Sequence, residues 1–323
     1  QKPKMLIKEY AQEEVRCLDC NSLTLACHGD IPEYGRYDKA IQSLVNYLRF
    51  RARLPYNRLV GAMNGIFGIP MTEPTAMEIT RRASRRLEPH YQALEEEIKK
   101  SSVVHADETS QSVNGVNRWV WAFCNAFMSL LKVHNSRGGD IVEKTLGQDF
   151  TGKLVADGWA TYRVYSREYG VLLQRCWSHA HREVKFECKE THPDLYKWHC
   201  DIYGVAKRGK QYKQGKRRHD MFEKCKAELA LWVAAAKTRR DLRKLATKIE
   251  NGGDDWFTAV LHPEVPLDNN EAERTLRAWA VLRKIIGCLR SPAGVRTHEI
   301  MMSLISTWEK QHKEVFSTLQ ATL

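Results

Sequence analysis

The chain has 323 residues, of which 43% are hydrophobic and 28% charged, and its formal net charge is +12. This composition is ordinary for a globular protein, and the length allows two or more domains with a substantial core. No apolar run is long enough to cross a bilayer, and the polar first 16 residues lack the apolar segment of a signal peptide. The strong positive charge favours a polyanionic partner, most often nucleic acid, over a basic surface that is only solvated.

Nine cysteines, an odd number, are scattered along the chain. Because no export signal is seen, we expect them to be reduced and the protein to be cytoplasmic. In residues 1–36, Cys17 and Cys20 form a C-x-x-C pair, which is half of a Zn²⁺ site. Cys27 and His28 could complete the site, although adjacent ligands suit a tetrahedron poorly, and a zinc knuckle that lacks its other half fits the pattern equally well.

Residues 37–100 have helical periodicity, with a break at Gly68-Ile69-Pro70. Thr72 can cap the helix that follows. That helix carries the candidate DNA-binding residues Arg81, Arg82 and Arg85. A helix, a tight turn and an arginine-rich helix predict a helix-turn-helix-like DNA-binding region. The alternative is a plain helical bundle with a basic face.

From Ser101 the pattern changes to α/β. A strand from Val103 to Thr109 is followed by the Asn114-Gly115 hairpin signal and by strands at 118–124, 127–134, 153–158 and 171–177. Helices are predicted from Gly138 to Leu146 and over 161–169. Three strands, a helix, a strand, a helix and a strand are the order of a ribonuclease H-like core, which is a mixed five-stranded sheet with flanking helices. Residues 101–182 form its first part.

Residues 183–262 are predicted to be a helical insertion into this core. Between residues 197 and 248 there are 16 Lys and Arg against five Asp and Glu. The run over 207–218 is either a solvated face or a track for a phosphate backbone, and its candidate DNA contacts are Lys207, Arg208, Lys210, Lys213, Arg217 and Arg218. Trp198, Trp256 and Trp279 either stack on a displaced base or pack in a core. Residues 263–323 return to helix and complete the core.

Two predicted strands, the first and the fourth, bear Asp107 and Asp157 at their ends. These strands are neighbours in a ribonuclease H-like sheet, so the two carboxylates would lie side by side. Glu273, near the start of a late helix, is placed to supply a third carboxylate. Two Mg²⁺ ions would relieve the repulsion between such groups and could drive phosphoryl transfer. The alternative is that each aspartate only forms a turn.

Four motifs give the chain a family resemblance. They are HADET at 105–109, ADGWATY at 156–162, CWSHAHRE at 176–183 and PLDNNEAERTLR at 266–277, with Arg283 and Lys284 beyond. Over roughly residues 37–323 the chain resembles the DDE transposases of the insertion sequence 66 family. The resemblance implies a ribonuclease H-like fold and Mg²⁺-dependent DNA cleavage and strand transfer, with Mn²⁺ able to substitute. Its triad here is Asp107, Asp157 and Glu273. Glu273 is preferred to Glu271 because the family pattern is Asn-Asn-x-x-Glu-Arg.

The resemblance also suggests roles around the triad. His179, in the C-x-x-H block, would contact the scissile phosphate or position a carboxylate; a packed helix-cap histidine is the alternative. The candidate DNA contacts in the late motifs are Arg182, Arg274, Arg277, Arg283 and Lys284. The implied partners are double-stranded DNA at element ends and target, a second copy of the chain in a dimer or larger assembly, and small accessory proteins, with no membrane. The implied location is the bacterial cytoplasm, at the nucleoid when DNA is bound. A nuclease on the same fold and a non-catalytic DNA-binding descendant are the alternative functions.

Overall fold

The computed structural model describes residues 6–26 and 36–323. A hairpin of β1 (Glu14–Arg16) and β2 (Leu23–Leu25) precedes the first helix. Cys17 and Cys20 lie in the turn of this hairpin, whereas Cys27 and His28 lie outside the described residues. All cysteines of the described ranges are free thiols.

Three helices and a short π-helical turn follow. They are α1 (Lys39–Asn46), the turn Tyr47–Arg51, α2 (Tyr56–Gly65) and α3 (Glu73–Lys99). Thr72 caps α3 as expected, because its side chain accepts a hydrogen bond from Thr75 N. The first half of α3 packs on α1 and α2, and its second half belongs to the core of the sheet. The helix-turn-helix-like role of this region stays a prediction.

The central sheet is mixed and five-stranded, with flanking helices, as predicted. Its strands are β3 (Val103–Val113), β4 (Val116–Cys124), β5 (Ser129–His134), β6 (Lys153–Ala156) and β7 (Leu173–Arg175), and the helices between them are α4 (Asp140–Leu146) and α5 (Ala160–Tyr169). The spatial order is β5-β4-β3-β6-β7. β3, β4 and β5 form an antiparallel meander, and β6 and β7 run parallel to β3. The first and fourth strands of the sheet are therefore neighbours.

The first strand of the sheet is longer than predicted. It does not end at Thr109 but continues to Val113, because Asn114 and Gly115 both adopt positive φ and close a tight hairpin onto β4. The parallel ladder between β3 and β6 nevertheless ends at the pair His105 and Val155. Asp107 thus lies inside a strand, just past the end of its parallel pairing.

The insertion is helical, as predicted. It contains α6 (Trp177–Cys188), α7 (Pro193–Gly209), α8 (Gly215–Lys237), α9 (Arg243–Glu250) and α10 (Thr258–Leu261), with 3-10 turns at Arg240–Leu242 and Gly253–Trp256. These elements enclose a separate apolar core. α6 crosses the predicted boundary at residue 183, since Trp177 on its first turn already packs in that core. The basic run 207–218 forms the turn from α7 to α8.

Three late helices complete the chain: α11 (Asn270–Ile286), α12 (Pro292–Lys310) and α13 (Val315–Thr322). α11 packs on β3 and β4, and α12 packs on β5 and α3. Trp256 and Trp279 are only 4% and 2% exposed. Of the two roles considered from the sequence, they therefore pack in a core and are not available to stack on a base. Trp198 is half-buried, and its indole N–H donates to Glu228.

Both edges of the sheet are covered. At the β5 edge, three backbone N–H groups donate to side chains spaced four residues apart on α12: Ser129 N to Thr307 Oγ1, Leu131 N to Ser303 Oγ, and Val133 N to Glu299 Oε1. At the β7 edge, the Thr258 hydroxyl donates to the backbone oxygen of Leu173, and Ala259 N donates to the side chain of Gln174, so the segment 258–259 lies against this edge. Backbone groups that an edge strand normally offers to another strand are thus used or covered within the chain. Within the described ranges, no helix has the length and apolarity that a bilayer span requires.

Candidate active site

Asp107 lies in β3, and Asp157 directly follows the adjacent strand β6. The parallel register pairs Val103 with Lys153 and His105 with Val155. Continued by two residues, this register brings the two aspartates opposite each other. Each carboxylate is oriented by a local hydrogen bond, since Asp107 Oδ1 accepts from Glu108 N at 2.9 Å and Asp157 Oδ1 accepts from Trp159 N at 2.8 Å.

Glu273 lies on the first turn of α11, against the same region. Burial, together with the negative charges of Glu108, Asp157 and Glu273, raises the pKa of Asp107 to about 7. The charges of both other predicted carboxylates, Asp157 after β6 and Glu273 on α11, therefore act on Asp107. We call Asp107, Asp157 and Glu273 the acidic triad.

Glu108 points to the other face of the strand, as the pleat predicts. Its side chain is fully buried, pairs with Arg137 at 2.6 Å and accepts a hydrogen bond from the hydroxyl of Tyr162 on α5. Burial raises the pKa of Glu108. Glu108 is thus a buried ion-pair partner that ties α5 and the segment before α4 to the sheet, and it is separate from the acidic triad.

The two glutamates at the start of α11 have different partners. Glu271 pairs with Lys310 of α12 at 3.0 Å and with Arg274 at 2.6 Å. Glu273 instead faces α6, where its Oε1 lies 3.7 Å from His179 Nδ1 and 4.0 Å from Arg182. Both Glu273 Oε1 and His179 Nδ1 are buried and have no hydrogen-bond partner among the described residues. This difference favours Glu273 over Glu271 as the third carboxylate.

His179 lies in the first turn of α6. Donor atoms of Cys176, His179 and Glu273 lie within 4.8 Å of one another, which is close enough to share a metal ion. Burial raises the pKa of the Cys176 thiol, however, and its sulfur already accepts a hydrogen bond from Asn269 N. A neutral, hydrogen-bonded thiol is a poor metal ligand, so Cys176 acts in local structure.

Asn269 joins three of the sequence motifs. It is fully buried, and its Nδ2 donates to Ala106 O at 2.7 Å while its Oδ1 lies 3.0 Å from His105 Nδ1. Its backbone N–H donates to Cys176 Sγ at 3.1 Å. One residue therefore fixes α11, which carries Glu273, to the strand that carries Asp107 and to the start of α6. Its place in the Asn-Asn-x-x-Glu pattern did not disclose this role, because the partners are distant in sequence.

Replacing Asn269 by alanine is expected to lower the free energy of unfolding by about 2–4 kcal/mol, because it leaves Ala106 O and His105 Nδ1 buried without a partner. The measurement is urea unfolding. Asn270→Ala is the matched control: its side chain is not part of this network, and its cost should stay below about 0.5 kcal/mol. Equal costs for the two variants would contradict the role of Asn269.

A sequence comparison agrees with this geometry. A model of the transposase IS66 family matches residues 34–297, which contain the central sheet and the acidic triad. The chain belongs to the transposase IS66 family. No curated protein matches the chain. Cys17 and Cys20 lie before the matched segment. Hydrogen bonds with Ser22 lower the pKa of Cys20 to about 7, which favours the thiolate form that binds metals. Zinc binding by this pair stays a prediction.

In this IS66-family transposase, Trp159 is a residue that sequence reasoning missed. Its indole is 40% exposed, and the guanidinium of Arg137 lies 3.8 Å from the ring centroid. It lines a cavity of about 370 Å³ together with Asp157 and His179. The signal available in the sequence was its position two residues after Asp157, in ADGWATY. An exposed aromatic ring beside a carboxylate of the triad is a surface on which a nucleobase can stack.

The cations predicted to contact DNA fall into two groups. Some are engaged within the chain: Arg81, Arg82 and Arg85 all pair with Glu78, Arg274 pairs with Glu271, Arg283 donates to Thr109 and to Ser110 O, Lys210 donates to Val265 O, and Arg218 donates to Tyr212 O and Lys213 O. Others are exposed and make no ion pair within the described residues, namely Lys207, Arg208, Lys213, Arg217, Arg277 and Lys284. Arg182 is exposed and near Glu273. The second group and Arg182 are the stronger candidates for phosphate contacts.

Proposed function

We propose that this IS66-family transposase cleaves the ends of a DNA element and joins them to target DNA, with Asp107, Asp157 and Glu273 as its metal-binding residues. The observation that carries the proposal is the acidic triad itself, three carboxylates from β3, the end of β6 and α11. We further propose that the sheet is of the ribonuclease H-like type. The order β5-β4-β3-β6-β7, with an antiparallel meander and two parallel strands, supports this assignment.

The residues of the triad fit a pair of hard divalent cations such as Mg²⁺. Oxygen donors are what Mg²⁺ prefers. Glu273 Oε1 is buried without a hydrogen-bond partner in the described part of the chain, and Asp107 is destabilised as an anion by its neighbours. Bound there, two cations would supply charge neutralisation for the attacking and leaving oxygens of a phosphoryl transfer. Mn²⁺ offers the same coordination chemistry.

The chain's own residues position the DNA around the triad. Arg182 extends from α6 near Glu273 and can contact a phosphate on the strand being cut. His179 lies between the cavity at Asp157 and Glu273, where it can donate to a phosphate oxygen or orient the glutamate. The exposed ring of Trp159 can stack on a base next to the cleaved bond. Exposed cations at the turn from α7 to α8 can bind the flanking phosphate backbone.

The test is an assay on duplexes that carry the terminal repeats of the encoding element, with Mg²⁺ or Mn²⁺. We expect metal-dependent nicks at the element ends and products in which a 3′ end is joined to target DNA. Cleavage without joining would indicate a nuclease on the same fold. Salt-dependent binding without any cleavage would indicate a DNA-binding descendant. A sequencing gel of the labelled strands distinguishes the three outcomes.

A further inference from the structure

A second cavity lies away from the acidic triad. It has a volume of about 820 Å³ and is bounded by α2 and the start of α3 on one side and by the segment from α11 to α12 on the other. It is larger than the cavity beside Asp157. Ile285, which lines it, is twelve residues after Glu273 on α11, or about 18 Å along the helix axis. The two sites are thus separate but joined by one helix.

Arg49 lines this cavity as a buried cation without an anion. It is only 3% exposed, and no carboxylate of the described residues pairs with it. Its guanidinium donates to Leu54 O at 3.0 Å and lies 3.1 Å from His298 Nε2, while Nε has no partner. Because His298 Nδ1 lies 2.7 Å from Gly294 O, which it can reach only as a donor, Nε2 is the acceptor and the ring is neutral. The guanidinium also lies 4.5 Å from the centroid of the Tyr56 ring, a cation–π contact that stabilises it in part. All of these partners are neutral, so no negative charge in the described residues balances the buried cation.

The N-terminus of α12 opens on the same cavity. Ser291, Ala293 and Gly294 line it, and Ser291 caps this 19-residue helix. The partial positive charge of a helix N-terminus favours an anion. Pro292 has no N–H, and Gly294 N and Val295 N donate to Ser291, so Ala293 N is the first-turn N–H group that faces outward from α12. Arg290 and Arg81 add positive charge to the lining. Glu73 and Glu78 oppose it, but Glu78 is already paired with three arginines of α3.

A stripe of unpaired cations runs along α11 from the acidic triad, and Arg290, beyond the end of that helix, lines the cavity. Arg277 and Lys284 follow Glu273 on α11 by four and eleven residues, so all three lie within about 40° of one another around the helix. Both cations are exposed, and so is Arg290 beyond the helix end. None of the three makes an ion pair within the described ranges. Ala280, between the two cations of α11, is small enough to let a backbone approach.

We propose that the cavity at Arg49 and the N-terminus of α12 binds a phosphate group, and that this group belongs to the backbone of a DNA strand that follows α11 away from the acidic triad. The proposal rests on the proposed function for the identity of the polymer, and on the cavity alone for the phosphate. Arg49 and the first turn of α12 hold the phosphate. Arg277, Lys284 and Arg290 bind the stretch between the cavity and the triad.

The test measures duplex binding in EDTA, so that cleavage is not required. We expect Arg49→Met and Arg290→Gln each to weaken binding about fivefold to tenfold and to reduce the slope of log affinity against log salt by about 1. Arg51→Met is the matched control: it removes a cation two residues away that pairs with Glu309, and its slope should equal that of the unmodified chain. Arg290 is exposed, so its variant reports on binding even where Arg49→Met alters folding.

Inorganic phosphate distinguishes the source of the ligand. If phosphate at constant ionic strength raises the melting temperature of the unmodified chain but not of Arg49→Met, the cavity binds phosphate. Suppose phosphate has this effect, but Arg49→Met and Arg290→Gln bind DNA with the same dependence on salt as the unmodified chain. The cavity then binds free phosphate, and the inference that it binds a DNA backbone is wrong. Unchanged DNA binding and unchanged response to phosphate in both variants would overturn the inference and leave the proposed function intact. If the variants bind DNA more weakly than the unmodified chain, but the unmodified chain cleaves no DNA, the inference is supported and the proposed function is contradicted.

Discussion

Replacing Asp107 by asparagine is expected to abolish DNA cleavage and, in EDTA, to stabilise the protein. Cleavage should fall at least about a thousandfold, because an amide cannot replace a carboxylate that binds the cations. The free energy of unfolding should rise on the order of 2 kcal/mol at pH 8, because the variant removes an acid whose pKa the fold raises to about 7. A raised pKa makes the ionised form costly in the folded state. The gain should therefore grow as pH rises from about 4 to 7 and then remain constant.

The measurements are cleavage of labelled duplex and urea unfolding in EDTA at several pH values. Asp149→Asn is the control, since Asp149 is exposed and forms no ion pair in the described part of the chain. Added Mg²⁺ should raise the melting temperature of the unmodified chain and of the control but not of Asp107→Asn. Full cleavage by Asp107→Asn, or an equal response of all three proteins to Mg²⁺, would contradict the assignment of Asp107 as a ligand.

Glutamine substitutions at Glu273 and Glu271 are expected to affect different properties, cleavage for Glu273 and stability for Glu271, although the residues are only two positions apart on one helix. Glu273→Gln should reduce cleavage at least about a thousandfold with little change in stability, because Glu273 faces α6 and its Oε1 has no internal hydrogen bond. Glu271→Gln should keep cleavage within a few-fold but lower the free energy of unfolding by about 1 kcal/mol, because Lys310 and Arg274 lose their anionic partner.

Each variant is the control for the other. Cleavage assays and urea unfolding on the same preparations give both quantities. Residues two positions apart on an α-helix point in directions about 200° apart, so only one of these two side chains can point toward Asp107 and Asp157. Loss of cleavage in Glu271→Gln alone would mean that the facing assignment of α11 is wrong.

The parts of this fold that sequence reasoning could predict are those encoded in local patterns. Alternation and β-branched residues located the five strands, and helical periodicity located α3, α5 and α11. The extension of β3 to Val113 was missed because Ser110, Gln111 and Ser112 are polar, and their strand conformation follows from pairing with β4. The early start of the insertion was missed because the partners of Trp177, including Trp256, are far along the chain.

The neighbouring positions of Asp107 and Asp157 were predictable, and their surroundings were not. Asp107 and Asp157 sit in short motifs, and the register of β3 and β6 places them together. The network of Asn269, by contrast, links residues more than 90 positions apart through single hydrogen bonds. Such contacts leave no periodic trace in a sequence. The pairing of Arg81 and Arg82 with Glu78 is different, because spacings of three and four residues on one helix indicate it from the sequence.

The sealed edges of the sheet constrain how two copies of this chain can meet. A strand of a second molecule cannot be added at β5, where Thr307, Ser303 and Glu299 already accept the outward N–H groups, and the segment at Thr258 and Ala259 occupies the β7 side. A continuous intermolecular sheet therefore cannot form through the central sheet. Contacts between copies of the chain at this sheet would have to use helical faces or loops, which avoids exposing aggregation-prone strand edges.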